Sequence, residues 1–169
     1  MNEKLAWLAG IWDGEGSITI FSHIEKNGCR KLCPTISLWN TDIKMIAEVI
    51  KILDSFGIRL TIYAQYARKE KHSDCYKLLS RNMTKIQKFL EIITPYLISK
   101  KPQAELLKRF VDSRLSKMVN GIKPQKWNYT EEEQSFEQQM RILNKTGNKR
   151  ILRDYTLDPL KGDDIVRTA

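Results

Sequence analysis

Over residues 4–12, Leu5, Leu8, Ala9 and Trp12 recur at helical spacing, which predicts an amphipathic helix. The following Asp13-Gly14-Glu15-Gly16 predicts its end, because glycine can take the positive φ of a C-cap. The period then changes to two. Ile18, Ile20 and Ile24 alternate with Ser17, Thr19, Phe21 and His23, predicting a strand over 17–25 with one buried and one polar face. A second strand over 31–39 sends Leu32, Ile36 and Leu38 inward and Lys31, Cys33, Thr35, Ser37 and Trp39 outward, and Asn27-Gly28 sits in the turn between them. Asn40-Thr41-Asp42 opens a helix carrying Met45, Ile46, Val49, Ile50 and Leu53, which stops at Gly57.

The pattern repeats. A strand over 59–67 turns Leu60, Ile62 and Ala64 inward and Arg59, Thr61, Tyr63 and Gln65 outward; after a charged loop, a strand over 75–80 sets Tyr76 and Leu78 against Cys75, Lys77 and Leu79. Asn82 caps a helix with Ile86, Phe89, Leu90 and Ile93 that ends before Pro95. Ser99-Lys100-Lys101-Pro102 leads into another helix, and the capping box Thr130-Glu131-Glu132-Glu133 opens a further one to about Leu143. The order α-β-β-α-β-β-α-α-α describes an α+β fold: an antiparallel sheet with helices on one face, the other left polar, aromatic and basic.

The 169 residues, 41% of them hydrophobic, suit one domain, which we place at 1–144, followed by a basic tail at 145–169. No run is long and apolar enough to span a bilayer and the N-terminus lacks a signal peptide's pattern, so an intracellular protein with no membrane partner is expected, in a prokaryotic cytoplasm or an organelle. Cys29, Cys33 and Cys75 are an odd number without a CxxC, and with His23 and His72 they lack zinc-site spacing, so they read as ordinary thiols. The net charge of +9 is concentrated in residues 58–119, where 14 basic side chains meet 5 acidic ones. A nucleic-acid footprint has that form, and so does a solvated basic face. The polar sheet face is equally two-sided: it can meet water, or fit a DNA major groove.

Asp13 and Glu15 are more informative. They stand at the negative end of a helix dipole, where carboxylates are disfavoured. A divalent cation would reverse that cost, since Mg²⁺ takes one or two carboxylates plus waters and phosphate oxygens. The plain alternative has Asp13 bonding the turn and Glu15 solvated.

The segment Leu8-Ala9-Gly10-Ile11-Trp12-Asp13-Gly14-Glu15-Gly16 closely resembles the LAGLIDADG signature of homing endonucleases, and the elements over residues 4–119 follow that family's core. With a single copy of the motif, the resemblance implies an intron-encoded homodimer that cuts long pseudo-palindromic DNA across the minor groove, leaving short 3′ overhangs. It implies pairing through the motif helix, which we assign to Leu5, Ala6, Ala9, Gly10, Trp12 and Asp13. It implies that Glu15 and the Gly14 carbonyl hold Mg²⁺, with Ca²⁺ or Mn²⁺ able to take its place, although many members carry Asp where Glu15 stands. Asn40, Lys44 and Lys100 match the catalytic periphery, with Lys101 competing for the last role. DNA reading would fall to Thr19, Phe21, His23, Lys31, Thr35, Ser37, Arg59, Thr61, Tyr63, Gln65 and Lys77. Lys145, Lys149, Arg150 and Arg153 would grip phosphates. Two rival readings are an RNA-binding maturase acting on its own intron, and a DNA-binding module of this fold that does not cut.

Overall fold

A computed structural model describes the backbone at residues 2–65, 74–118 and 129–154, with side chains as far as 145. Helix α1 (Asn2–Glu15) leads into strands β1 (Gly16–Ile24) and β2 (Arg30–Asn40) and helix α2 (Ile43–Ser55); β3 (Thr61–Gln65), β4 (Cys75–Ser80) and α3 (Met83–Ile93) repeat that unit. After a 3-10 turn, α4 (Lys101–Ser116) and α5 (Glu131–Asp154) follow. The sheet is antiparallel in the order β1-β2-β4-β3.

Local chemistry accounts for most boundaries. The Asp42 carboxylate accepts hydrogen bonds from the Lys44 and Met45 N–H groups at the start of α2. At its other end Gly57 takes φ +69°, and the Ile58 and Gly57 N–H groups close back onto Leu53 and Asp54. Asn82 caps α3 through the Lys85 N–H at 3.1 Å. The capping box of α5 is reciprocal: Thr130 Oγ1 accepts from the Glu133 N–H, and the Glu133 carboxylate accepts from the Thr130 N–H.

Helix α1 runs farther than expected. Neither Gly14 nor Gly16 has positive φ, so no left-handed cap stops it, and Asp13-Gly14-Glu15 form its last turn. Gly16 is needed for a different reason. A Cβ there would lie under 3.0 Å from the Trp12 ring and carbonyl oxygen. Trp12 is fully buried against Phe89, ring centroids 4.5 Å apart, and cannot retreat. Gly16→Ala is therefore expected to cost about 1–3 kcal/mol of stability, to be read from the urea midpoint.

Three expectations about faces are corrected. Ile62 and Ala64 are exposed, because β3 is an edge strand whose inner side has little cover. Ile24 is exposed because it lies at the far end of the β1–β2 hairpin. Leu5, Ala9 and Trp12 point into the chain's own core and cannot line a pairing surface; the exposed side of α1 carries Ala6, Trp7, Gly10 and Gly14 instead. The strand expected over 59–67 is shorter, starting at Thr61, and residues 66–67 lie outside the described residues. Helix α5 continues past Leu143 to Asp154, where apolar periodicity has ended but no proline interrupts. His72 and residues 155–169 of the expected tail also lie outside the described residues.

Candidate active site

Three connections converge at one end of the sheet: α1 into β1, β2 into α2, and the turn into α4. Gly16 pairs with Leu38, so Glu15 and Asn40 stand at the same end of neighbouring strands. Asp13 ties in the third connection. Its Oδ2 accepts from the Ile98 and Ser99 N–H groups at 2.7 and 3.2 Å, and its Oδ1 from the Lys100 N–H at 2.8 Å. Helix α4 has no side-chain cap of its own, so a residue more than 80 positions away supplies an acceptor for the N–H groups leading into it. Asp13 is disfavoured at the C-terminus of α1 but favoured at the N-terminus of α4, which resolves the puzzle of its placement. This use makes Asp13 a tether inside the chain, where pairing with a second chain was expected.

Lys100 completes the tie by donating from Nζ to the Asp13 carbonyl, one of the helix-end carbonyls that lack a partner within α1. Burial pulls its pKa below the ordinary lysine value, against the opposing pull of the Asp13 and Glu15 carboxylates. Lys101 is exposed on the first turn of α4. Glu15 is exposed and, among the described residues, makes no hydrogen bond or ion pair; a Cβ on Gly14 would meet only open space. Asn40 is half-buried, its Oδ1 accepting from the Asp42 N–H at 2.7 Å, so its amide NH₂ is left to donate. Lys44 is exposed on the first turn of α2.

The outward sheet face continues from this end. Trp39, Lys77 and Tyr63 are register partners across β2, β4 and β3, and the Lys77 ammonium lies 4.4 Å from the Trp39 ring. The Arg81 guanidinium covers Phe21 at 5.2 Å, and the Phe21 and His23 rings are 6.4 Å apart. Thr19, Phe21, His23, Lys31, Arg59, Thr61, Tyr63, Gln65 and Lys77 are all exposed or half-buried. Lys31 and Arg59 are engaged by Glu25 and Asp54. Thr35 and Ser37 are shielded at 6% and 7% exposure, Ser37 lying between register partners on β1 and β4 and Thr35 beside Thr19 on β1, so direct presentation to a ligand is corrected for both. Lys145 is exposed on α5; Lys149, Arg150 and Arg153 follow on the same helix, with side chains outside the described residues. Trp39 and Arg81 were not among the expected reading residues. Their signal was available: an outward strand parity for Trp39, and for Arg81 a position directly after the last strand.

An exposed carboxylate on a helix end, a pinned lysine beside it and an aromatic, basic sheet face mark out a class of αββαββα proteins. The LAGLIDADG-like domain profile matches residues 2–94, and the chain belongs to the LAGLIDADG family. No protein of curated function matches the sequence significantly. Among solved structures, the fold is similar to that of the homing endonuclease I-TnaI (TM-score 0.55, 19% identity, 89% of this chain and 96% of that one). It is also similar to I-CvuI in complex with the I-CreI target in the presence of Mg, DNA not cleaved (0.54, 22%, 69% of each chain). A third is the archaeal intron-encoded homing endonuclease I-Vdi141I complexed with DNA (0.55, 14%, 83% and 98%). Among the described residues no helix is long and apolar enough to cross a membrane.

Proposed function

We propose that the chain is a site-specific double-strand DNA endonuclease that works as a homodimer with a divalent cation and promotes intron mobility. The observation that carries this reading is the exposed, unbonded Glu15 carboxylate on the last turn of α1, beside a lysine held by that same helix end. The homing endonucleases it resembles include ones complexed with DNA, and I-CvuI was crystallised with Mg and with Ca.

The residues fit a hard cation. One chain offers two hard oxygen donors, the exposed Glu15 carboxylate and the Gly14 carbonyl on the same helix end, and Mg²⁺ takes one or two carboxylates together with waters and phosphate oxygens. The Glu15 carboxylate and the Gly14 carbonyl would hold the cation, which would supply charge neutralisation and Lewis acidity at the reacting phosphate. The Lys100 ammonium offsets charge on the remaining phosphate oxygens. The Asn40 amide and Lys44 orient water at the edge of the site. Phe21, His23, Tyr63, Gln65 and Lys77 meet base edges, Arg59 takes guanine, and Lys145, Lys149, Arg150 and Arg153 hold backbone phosphates.

Pairing uses the exposed side of α1, where Ala6 and Gly10 permit close approach and Trp7 supplies apolar area. Gly10→Arg tests it cleanly. Nothing lies within 4 Å of the added Cβ, and helix propensity favours Arg over Gly by about 1 kcal/mol. The variant should keep or gain thermal stability, elute as a monomer by light scattering and lose duplex cutting.

The activity itself is tested by incubating the wild-type chain with a random duplex library and Mg²⁺. Recovery of one pseudo-palindromic site, cut on both strands and uncut in EDTA, is expected. Tight binding of its intron RNA with no duplex cut would replace this reading with the maturase one.

A further inference from the structure

One half of the β1–β2 hairpin lies beyond the reach of β4. Strand β4 pairs with β2 only from Ile36 to Asn40, so residues 30–34 have β1 as their strand neighbour on one side and, among the described residues, no strand on the other. A two-stranded ribbon is marginal alone and free to twist. Phe21, His23 and Lys31 all stand on that half.

Helix α5 lies under it. Phe136 and Met140 bury its apolar stripe in the core, and Glu133 joins α5 to α4 through Arg114, Lys117 and Ser113. One turn on, the Glu137 carboxylate is 2% exposed. It accepts from Ser22 Oγ on β1 at 3.1 Å, from Arg30 at the start of β2, and from Arg141 on its own helix. The Tyr129 hydroxyl, just before α5, accepts from the Leu32 N–H at 3.0 Å. Farther along, Asn144 reaches Thr19 Oγ1 at 3.4 Å. Ser22 faces the helices and Thr19 the opposite side, so α5 passes round the free edge of β1. A buried carboxylate whose partners sit on two strands and on a separate helix fixes the ribbon in angle as well as in place.

We infer that Glu137 is a positioning residue: through Arg30 and Ser22 it sets the angle of the hairpin that presents Phe21, His23 and Lys31, and so governs recognition of the outer base pairs of each half-site. This rests on the proposed nuclease function. It gives α5 the role of bracing the reading face from behind.

The test uses full-length Glu137→Gln, and Tyr129→Phe as a milder variant that removes only a hydroxyl. Amide hydrogen exchange comes first. Losing a charge-assisted, part-buried bond should raise exchange over residues 20–33 roughly tenfold or more in Glu137→Gln, and less in Tyr129→Phe, with 36–40 and 76–80 unchanged. Cleavage of the randomised library comes second. Base preference should flatten at the outer positions alone, with kcat on saturating target unchanged. Unchanged exchange over 20–33, or a loss of preference spread evenly over the site, would overturn the inference. If the wild-type chain cuts no duplex, the nuclease reading fails by itself, and the exchange result alone then decides whether Glu137 braces the hairpin.

Discussion

Glu15→Gln should abolish duplex cutting, lowering the rate by about 10³-fold or more, while target binding in Ca²⁺ changes little. The carboxylate is exposed and makes no bond within the described chain, so its loss removes no fold contact. The amide keeps shape and removes the charge that would hold the proposed cation. Thermal unfolding of the variant should match wild type. Normal cutting by a folded Glu15→Gln protein would remove this side chain from the chemistry.

The second large effect is expected at Lys100. Lys100→Met should lower the cutting rate by about 10²-fold, because the proposed mechanism uses this cation to offset charge that develops on the phosphate. Its pH dependence carries a sign. Burial holds the Lys100 pKa below the ordinary lysine value, so the ammonium is present at low and neutral pH and is lost as pH rises through that lowered value. The wild-type rate should therefore fall on the alkaline side before ordinary lysines titrate. Lys100→Arg, which does not titrate there, should lack that fall even if its ceiling is lower. An alkaline limb unchanged in the arginine variant would assign the limb to another group.

Helix α5 makes a separate forecast about stability. Burial raises the Glu133 pKa, but Lys117, the Thr130 N–H, Ser113 and Arg114 outweigh it and hold the pKa below the ordinary glutamate value. Stability from this group is then complete above that ordinary value and lost as pH falls through the depressed one. Glu133→Gln should flatten the acid side of the stability curve, as followed by thermal melts.

What could be read from the sequence was what local chemistry decides. The Asp42 and Asn82 caps, the Gly57 stop, the Thr130–Glu133 capping box and the alternation of Ile18 and Ile20 each involve residues within a few positions of one another. What escaped depends on partners far away in the chain. Asp13 looked free for a second chain because its three N–H donors lie 85 to 87 residues on. Leu5, Ala9 and Trp12 shared a motif with Ala6 and Gly10, yet helix rotation sends the first group to the core and the second to the surface. Ile62 obeyed the alternation of a buried strand, but an edge position left it bare. Helix α5 outlasted its apolar repeat, and Glu137 had no sequence neighbour to betray its link to Arg30.

The LAGLIDADG helix does two jobs here. One side packs Leu8 and Trp12 into the core, and its last turn binds α4 through Asp13 while leaving Glu15 outside. Glu15 is followed directly by β1, so the backbone that carries the carboxylate is continuous with the first strand of the sheet.

The proposed chemistry brings together two Glu15 side chains, one from each of two paired chains, and native mass spectrometry of the chain on its selected duplex in Ca²⁺ weighs that directly. Two chains of 19.8 kDa on each duplex are expected, falling to one or none for Gly10→Arg. A wild-type complex holding a single chain at saturation would contradict it.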